Sequence, residues 1–447
     1  MKEKLQKRYG FFVATSMVVG IVVGIGIFFK AKGVLAAAGL DPKVAISAWV
    51  IGGVITILSG LSAAELGAAI PETGGMIAWI KKIYGDRLGF VVGWTYMILY
   101  FPALTAMIAY FFAVFAANLF GISPEHTHLF IILLSFFSIT FIFIMNVITT
   151  KAAGKIQALT TVIKLIPLIL ILVFGLFSNN NIQGTFFTSP SVVNMHSNFL
   201  ILLGTALVPV MFAFDGWIIV GTISGDLKNV AKNLPRAIIF GLGFIVLLYI
   251  LLNIGLLEVF PAHELAKKGL MGAVAYLFGA TGSKLIFVGI VISAFGVLNG
   301  IILASTRVPY ALAIENTLPK KEFFAKVTDK HKQPINSSIT MFILTMVYFA
   351  LMFITKQYDV FGDVPVAIFW LFYSMLFLGV FILRKKDPEL VRPYKVPFYP
   401  LVPFVALVGG IIIFISALYA HPLYMIISLV LALLGFIVYQ NPAKNKQ

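Results

Sequence analysis

The sequence GIVVGIGIF, residues 20–28, occupies the middle of the first long apolar segment of the chain. Glycine lowers helix stability and lets another backbone approach closely, so Gly24 and Gly26 predict a weak point in this helix. Small residues also recur where membrane helices pack together, so this stretch alone leaves close packing as an equal alternative. A second interrupted segment is needed to separate the two interpretations.

That second segment contains MFAFDGW, residues 211–217, which places Asp215 and Gly216 in the middle of the sixth apolar segment. The offset of five segments is odd, so the second half of the chain is predicted to repeat the first with inverted topology, as in many secondary transporters. Unpaired backbone at membrane depth is tolerated only where it lines a cavity. Freed amides at a half-helix start attract an anion, and freed carbonyls attract a cation. Gly24–Ile27 and Phe212–Gly216 are therefore predicted to bind a zwitterion.

The composition indicates a membrane protein. Of 447 residues, 60% are hydrophobic and only 11% are charged, whereas soluble domains carry about 25% charged residues. The net charge of +16 does not indicate a nucleic-acid partner, because the basic residues lie in short loops between apolar segments. The chain has no cysteine, which excludes disulfides, thiol nucleophiles and thiolate metal sites.

A spanning helix needs about 20 apolar residues, and the chain contains twelve segments of this kind. They lie near 11–37, 44–68, 88–120, 128–148, 154–178, 199–225, 236–258, 284–313, 336–355, 362–384, 398–419 and 421–440. Only a tight turn at Ala420–Pro422 separates the last two, so eleven or thirteen spans remain possible. The predicted fold is an all-α integral membrane protein with about twelve transmembrane helices in one domain, residues 1–447.

The distribution of basic residues predicts the orientation. Of the 33 Lys and Arg residues, seven are expected on the outside and Lys164 within a span, which leaves 25 on the cytoplasmic side when the N-terminus is inside. The seven external residues are Lys30, Lys32, Lys43, Lys267, Lys268, Lys284 and Lys356. An excess of this size on one side is the positive-inside pattern. Both termini are thus predicted to be cytoplasmic, in a multi-pass protein of the plasma or inner membrane.

Two ionisable residues are predicted to lie deep inside spans, where charges are costly and are functional candidates by default. They are Lys164 in the fifth segment and Asp215 in the sixth. The alternative is that the two form a buried pair that only fixes helix packing.

All six histidines fall in loops or at span ends, which disfavours a proton relay. The sequence predicts no metal and no cofactor. Glu65, Asp226 and Arg307 are interpreted as interface or gate pairs.

Several motifs occur in order along the chain: Gly24–Phe28 followed by Gly33–Leu35, Ala64–Gly67, Pro71–Gly75, Gly93–Trp94, Lys164–Leu165, Phe212–Trp217, Phe295–Gly300, Arg307 and Leu318–Pro319. With these motifs the chain resembles the amino acid–polyamine–organocation superfamily and, within it, the L-type amino-acid transporters. The resemblance covers essentially the whole chain. It implies a LeuT-like five-plus-five inverted repeat with helices 1 and 6 interrupted. The repeats would be 11–178 and 199–384, and 398–440 would form two peripheral helices.

The resemblance also implies sodium-independent exchange of neutral L-amino acids, with small ones favoured, by alternating access. Amides of Ile25, Gly26 and Ile27 would then hold the substrate carboxylate. The substrate ammonium would be held by carbonyl groups of Phe212, Ala213, Phe214 and Val22.

Further roles follow from the same resemblance. Phe212 resembles the aromatic outer gate, and Lys164 resembles a functional lysine whose ammonium takes the place of sodium. Trp217 is assigned to the lining of the site, and Asn299 to hydrogen bonding in the core.

The chain departs from the family pattern at two places. Many members carry Ser or Thr where this chain has Ile25, which leaves backbone donors alone for the carboxylate. Animal members carry a cysteine that binds a heavy subunit, whereas the corresponding loop Gly121–Leu129 has none. No disulfide-linked partner is therefore expected; the expected partners are amino-acid substrates and membrane lipid.

Three other functions are conceivable for a chain of this kind. A proton-coupled amino-acid symporter, with Asp215 or Lys164 as the titrating group, is the nearest alternative. A membrane-embedded enzyme is disfavoured because it needs several convergent reactive groups inside the spans. A channel is disfavoured because no filter or repeated polar stripe is visible.

Overall fold

A computed structural model describes residues 10–70, 74–148, 163–178, 199–218, 227–328 and 333–441. Within these ranges the regular structure is helical. The helices are α1 Phe11–Val22, α2 Gly26–Ala37, α3 Pro42–Ala69, α4 Met76–Tyr84, α5 Asp86–Thr95, α6 Phe101–Phe120, α7 Pro124–Ile148, α8 Leu165–Leu176, α9 Phe199–Ala213, α10 Val230–Val259, α11 Ala262–Ser305, α12 Val308–Ile314, α13 Lys321–Ala325, α14 Ile335–Thr355, α15 Val360–Lys386, α16 Leu401–Ala420 and α17 Pro422–Val438. A single π-helical turn, Tyr96–Tyr100, joins α5 to α6.

Each of the twelve predicted segments contains an apolar helix. Among the described residues, eight helical stretches are long and apolar enough to cross a membrane, and shorter apolar helices occupy Phe11–Gly20, Leu165–Leu176, Phe199–Ala213 and Pro422–Val438. The predicted all-α membrane fold is confirmed. The turn between the last two helices is as tight as expected, since α16 ends at Ala420 and α17 begins at Pro422.

Local sequence explains where several helices begin and end. Asp41 caps α3, where its carboxylate accepts from the amides of Lys43 at 2.8 Å and Val44 at 3.3 Å. Pro42 follows at the first helical position, where a missing amide proton costs nothing. α6 ends at Gly121, which adopts a left-handed conformation with φ 63°.

The contacts within the chain define two compact units. Unit 1 comprises Met1–Gly85, Leu170–Leu277 and Val366–Ala420, and unit 2 comprises Asp86–Ile169, Phe278–Pro365 and His421–Gln447. In unit 1, α3 packs against α9, α10 and α16, α1 packs against α10, and α2 packs against α9. In unit 2, α6 packs against α7 and α14, and α17 packs against α5.

Lys30, counted from the sequence among the lysines on the external side, lies within α2, and its side chain is completely buried. Lys30 follows Gly26 by four residues, so it lies about 6 Å further along the helix. Lys30 is therefore a further ionisable residue buried within an apolar helix, as Glu65 and Asp363 also are. The sequence does not distinguish Lys30 from Lys32, which lies two residues later near the same span end. In the structure only Lys32 is exposed, as expected of a lysine at a span end.

Candidate functional site

The first interruption lies between α1 and α2 in unit 1. α1 ends at Val22, and Val23 has ψ 87°, which turns the chain out of the helix. α2 begins at Gly26, and the amide of Phe28 already donates to the carbonyl of Ile25 at 3.0 Å. The first amides of a helix have no carbonyl partner in a preceding turn. The break thus places the first amides of α2 at a helix start within the first apolar segment.

The second interruption ends α9 at Ala213, although the apolar segment continues. Phe214 and Asp215 donate from their amides to the carbonyls of Val210 and Phe212, both at 3.1 Å, in a closing turn. Gly216 has φ 97°, a conformation that a residue with a side chain rarely adopts. Residues 219–226 lie outside the described part of the chain, and with them Asp226.

The two interruptions meet at Gly26. A Cβ atom placed on Gly26 would lie 3.0 Å from Cε1 of Phe212 and 3.2 Å from the Cα atom of Ala213. Such distances are shorter than carbon–carbon contacts normally are, near 3.5–4.0 Å. Glycine thus permits the close approach here, since a side chain would press on Phe212 and on the backbone of Ala213. The packing and interruption interpretations of the glycine-rich stretch both hold at this position.

An aromatic cluster lies beside the breaks and was not foreseen. The ring of Phe214 contacts Trp49 and Tyr249 at centroid distances of 5.7 and 5.3 Å. The hydroxyl of Tyr249, itself fully buried, donates to the carbonyl of Val22 at 3.3 Å. That carbonyl was predicted to hold the substrate ammonium, and it has a second lone pair free for this role. Tyr249 lies in the middle of the apolar segment 236–258. A tyrosine hydroxyl in such a segment usually finds a hydrogen-bond partner, and this is the sequence signal that could have singled it out.

Asp215 and Trp217 share a neighbour from α15. The hydroxyl of Tyr373 donates to Oδ1 of Asp215 at 3.2 Å. The Tyr373 ring also contacts Trp217 at a centroid distance of 5.4 Å, and Trp370 lies 6.5 Å from Trp217. Trp217 is 1% exposed, and among the described residues its indole nitrogen has no hydrogen-bond partner. Asp215 is thus oriented by a phenol rather than left in contact with hydrocarbon.

Two further predicted residues belong to unit 2. Lys164 is 2% exposed and directly precedes α8, while residues 149–162 before it lie outside the described part of the chain. Asn299 on α11 is fully buried, and its Oδ1 accepts from Nδ2 of Asn146 at 3.4 Å. The other predicted site residues, from Val22 to Ile27 and from Phe212 to Trp217, are brought together within unit 1.

Glu65, interpreted from the sequence as part of an interface or gate pair, is the centre of an ion-pair network in unit 1. Its carboxylate, 2% exposed, accepts from Nε and Nη2 of Arg384 at 2.9 and 2.6 Å and from the amide of Val396 at 2.7 Å. Nε of Arg392 lies 3.7 Å away. The Arg384 guanidinium also covers the ring of Tyr399 at 3.8 Å. The network ties the connection after α15 to α3.

The site offers backbone donors at the start of one half-helix and backbone carbonyls at the ends of two others, with aromatic rings beside them. A carboxylate suits the first set and an ammonium the second. Among the described residues, no group of three or more His, Asp or Glu side chains is arranged to hold a metal ion. The arrangement is chemically suited to an α-amino acid.

Comparison with known proteins also indicates a protein that handles amino acids. Residues 9–441 match the family model for amino acid permeases. The chain is 35% identical over 445 residues to a serine/threonine exchanger of Bacillus subtilis, covering 99% of this chain and 98% of the relative. It is 30% identical over 447 residues to the mouse large neutral amino acids transporter small subunit 2, covering 97% and 81% of the two chains. It is 27% identical over 442 residues to the human cystine/glutamate transporter, covering 98% and 85%.

Proposed function

The chain belongs to the amino acid permease family, and on that premise we propose that it exchanges small neutral L-amino acids across the cell membrane without sodium. The family and the relatives make it a transporter of amino acids rather than an enzyme. The chain lacks cysteine, so it has no disulfide-linked heavy subunit.

The observation that carries the proposal is the contact between the two helix interruptions at Gly26 and Phe212–Ala213. A substrate carboxylate would accept from the amides of Ile25, Gly26 and Ile27. Its ammonium would donate to carbonyls of Val22, Phe212, Ala213 and Phe214. Because α-carboxylate and α-ammonium groups are common to all amino acids, this part of the site recognises the class and not the side chain. Ile25 brings an apolar side chain where a hydroxyl is common in the family.

Alternating access would then follow from rearrangement of the interrupted helices around the bound substrate. The assignment of 11–178 and 199–384 as inverted repeats is supported by the membership of the units. Spans 1 and 6 and spans 2 and 7 fall in unit 1, whereas spans 3 and 8 and spans 4 and 9 fall in unit 2. Spans 5 and 10 do not follow this pattern, since span 5 is divided between the units and span 10 lies mainly in unit 1. Helices at equivalent positions of two repeats are expected to belong to the same structural unit. Peripheral helices would be α16 and α17.

In this proposal the ammonium of Lys164 replaces the sodium ion of sodium-coupled transporters. Its support is the burial of the side chain within an apolar span, since a charge at this depth is kept only where it has a function or a partner. A protein cation in this place would remove the need for a transported one, and exchange would then not require sodium.

Substrate size is tested by competition. Purified protein in proteoliposomes loaded with unlabelled serine should take up labelled serine from outside. Each of the twenty amino acids is then added in excess, and serine, threonine and alanine should compete best. Competition by large apolar or acidic amino acids alone would contradict the assignment to small neutral substrates.

One observation favours a second function, the proton-coupled symport of amino acids. Asp215 is a carboxylate inside a span, held by the Tyr373 hydroxyl at 3.2 Å at the helix interruption. A carboxylate in this position could bind and release a proton in each transport cycle. Uptake by proteoliposomes that contain no amino acid, driven by an inward proton gradient, would support this function over exchange.

A further inference from the structure

The proposed exchange mechanism assigns no role to Lys30. It lies one helical turn after Gly26 on α2, and its side chain is completely buried. Charged side chains inside a membrane span are rare, and they persist where they act on a partner or on a transport path. The neighbouring Lys32 on the same helix is exposed, so burial is specific to Lys30.

The ammonium of Lys30 lies against two aromatic rings. Its Nζ atom is 4.9 Å from the ring centroid of Phe212 and 5.0 Å from that of Phe29. The two rings contact each other with centroids 5.7 Å apart. Both cation distances are within the range of about 6 Å in which an aromatic face attracts a cation, and the attraction is strongest where water is excluded.

The ring that Lys30 contacts is also the ring that contacts the proposed carboxylate site. Cε1 and Cδ1 of Phe212 lie 3.0 and 3.2 Å from the Cβ position of Gly26. Phe212 is therefore in contact with the start of α2 at Gly26 and with the cation one turn further along the same helix. A change in its rotamer would break both contacts together.

We propose that Lys30 is a positioning residue for Phe212, whose ring it holds against Gly26 so that a bound amino acid is retained. This inference rests on the proposed function, because it assigns a partner to the aromatic gate of that site. Lys30 acts through the ring and does not bind the substrate. Without its charge the ring leaves Gly26 more often, and the substrate escapes before the transporter changes its conformation.

The transport experiment uses the full chain in proteoliposomes loaded with serine and measures labelled serine uptake. Lys30→Met keeps the length of the side chain and removes the charge, so we expect KM to rise about tenfold, as for loss of a strong desolvated cation–π contact. The maximal rate should change less than about twofold, because the substrate contacts are intact. Lys30→Arg should retain the wild-type KM, and Lys32→Met is the matched exposed control.

A double-mutant cycle separates positioning from a general structural role. In the Phe212→Leu background, Lys30→Met should raise KM no further, because the aromatic partner is already absent. An equal rise of KM in both backgrounds would overturn the proposal, as would an unchanged KM in Lys30→Met. Failure of Lys30→Arg to preserve the KM would also overturn it.

A second measurement needs no transport. With 4-fluorophenylalanine at position 212 alone, the ¹⁹F resonance of the purified protein should shift and broaden in Lys30→Met and stay unchanged in Lys32→Met. An unchanged resonance in Lys30→Met would overturn the inference even if no substrate were exchanged. If wild-type protein exchanges no neutral amino acid but the resonance responds as expected, the proposed function fails, whereas the positioning of the Phe212 ring by Lys30 is retained without its role in substrate retention.

Discussion

A Cβ atom on Gly26 would lie 3.0 Å from Cε1 of Phe212, so the start of the second half of span 1 is in contact with the end of the first half of span 6. These residues are 186 positions apart in the chain (212 minus 26). The contact brings the amides of one helix interruption beside the carbonyls of the other. Every prediction about substrate binding depends on this contact.

Substitutions of Gly26 should impair binding in proportion to their size. Gly26→Ala forces a carbon against Phe212 and the backbone of Ala213, and overpacking of about 1–3 kcal/mol should weaken serine binding by about tenfold. Gly26→Leu should abolish binding. The matched control is Gly33→Ala on the same helix, where a Cβ atom meets nothing within 4 Å. Serine affinity measured by competition is the readout, and an unchanged affinity in Gly26→Leu would rule out the carboxylate site proposed here.

Tyr249→Phe should weaken substrate binding without unfolding the protein. The variant removes the hydroxyl that donates to the Val22 carbonyl at 3.3 Å and so holds the end of α1 beside the site. If about 1 kcal/mol of this positioning is lost, the serine KM should rise about fivefold. Tyr84→Phe removes a similar bond, to the Met375 carbonyl at 2.7 Å, and should leave serine KM unchanged. Equal effects of both variants on KM would mean that Tyr249 has no special relation to the site.

Lys164→Ala should abolish exchange while leaving the protein folded. The variant removes the buried cation that the proposal puts in the place of sodium, whereas Lys284→Ala changes an exposed lysine and should transport normally. Gel filtration and thermal unfolding in detergent check the fold, and labelled serine exchange checks the function. Normal exchange by Lys164→Ala would end the hypothesis for this lysine.

Glu65→Gln should destabilise the protein strongly. The carboxylate is buried among Arg384, Arg392 and the Val396 amide, and removal of one partner of a buried ion pair costs about 3–5 kcal/mol. Glu264→Gln is the control, because Glu264 pairs with Lys268 at 2.7 Å on an exposed helix surface, where ion pairs contribute little. Thermal unfolding of the detergent-solubilised protein should give a markedly lower midpoint for Glu65→Gln alone. Similar midpoints for the two variants would show that the Glu65 network is not stabilising.

Periodicity and glycine placement were sufficient to predict the spans and both interruptions. The first break was predicted at Gly24–Ile27, and α1 ends at Val22 while α2 begins at Gly26. The reason is local, because glycines weaken a helix wherever it packs. The second break could be predicted from Asp215 and Gly216 for the same reason, since a carboxylate and a glycine are both unfavourable within an uninterrupted apolar helix.

Contacts between distant segments could not be predicted from one sequence. Tyr249 and Val22 are 227 residues apart, Tyr373 and Asp215 are 158 apart, and Arg384 and Glu65 are 319 apart. Each pairing depends on which face of a helix is directed at its neighbour. An apolar helix has no polar face to reveal this, because lipid and protein neighbours favour the same residues. The burial of Lys30 was missed for the same reason, since a lysine near a span end ordinarily extends its ammonium to water.

The central claim is exchange, and counterflow of serine tests it most directly. Proteoliposomes are prepared with or without internal serine, in sodium-free buffer at equal pH on both sides, and labelled serine is added outside. We expect rapid uptake into serine-loaded vesicles and almost none into empty ones, with no change when sodium or a proton gradient is supplied. Uptake into empty vesicles that requires an inward proton gradient would contradict it.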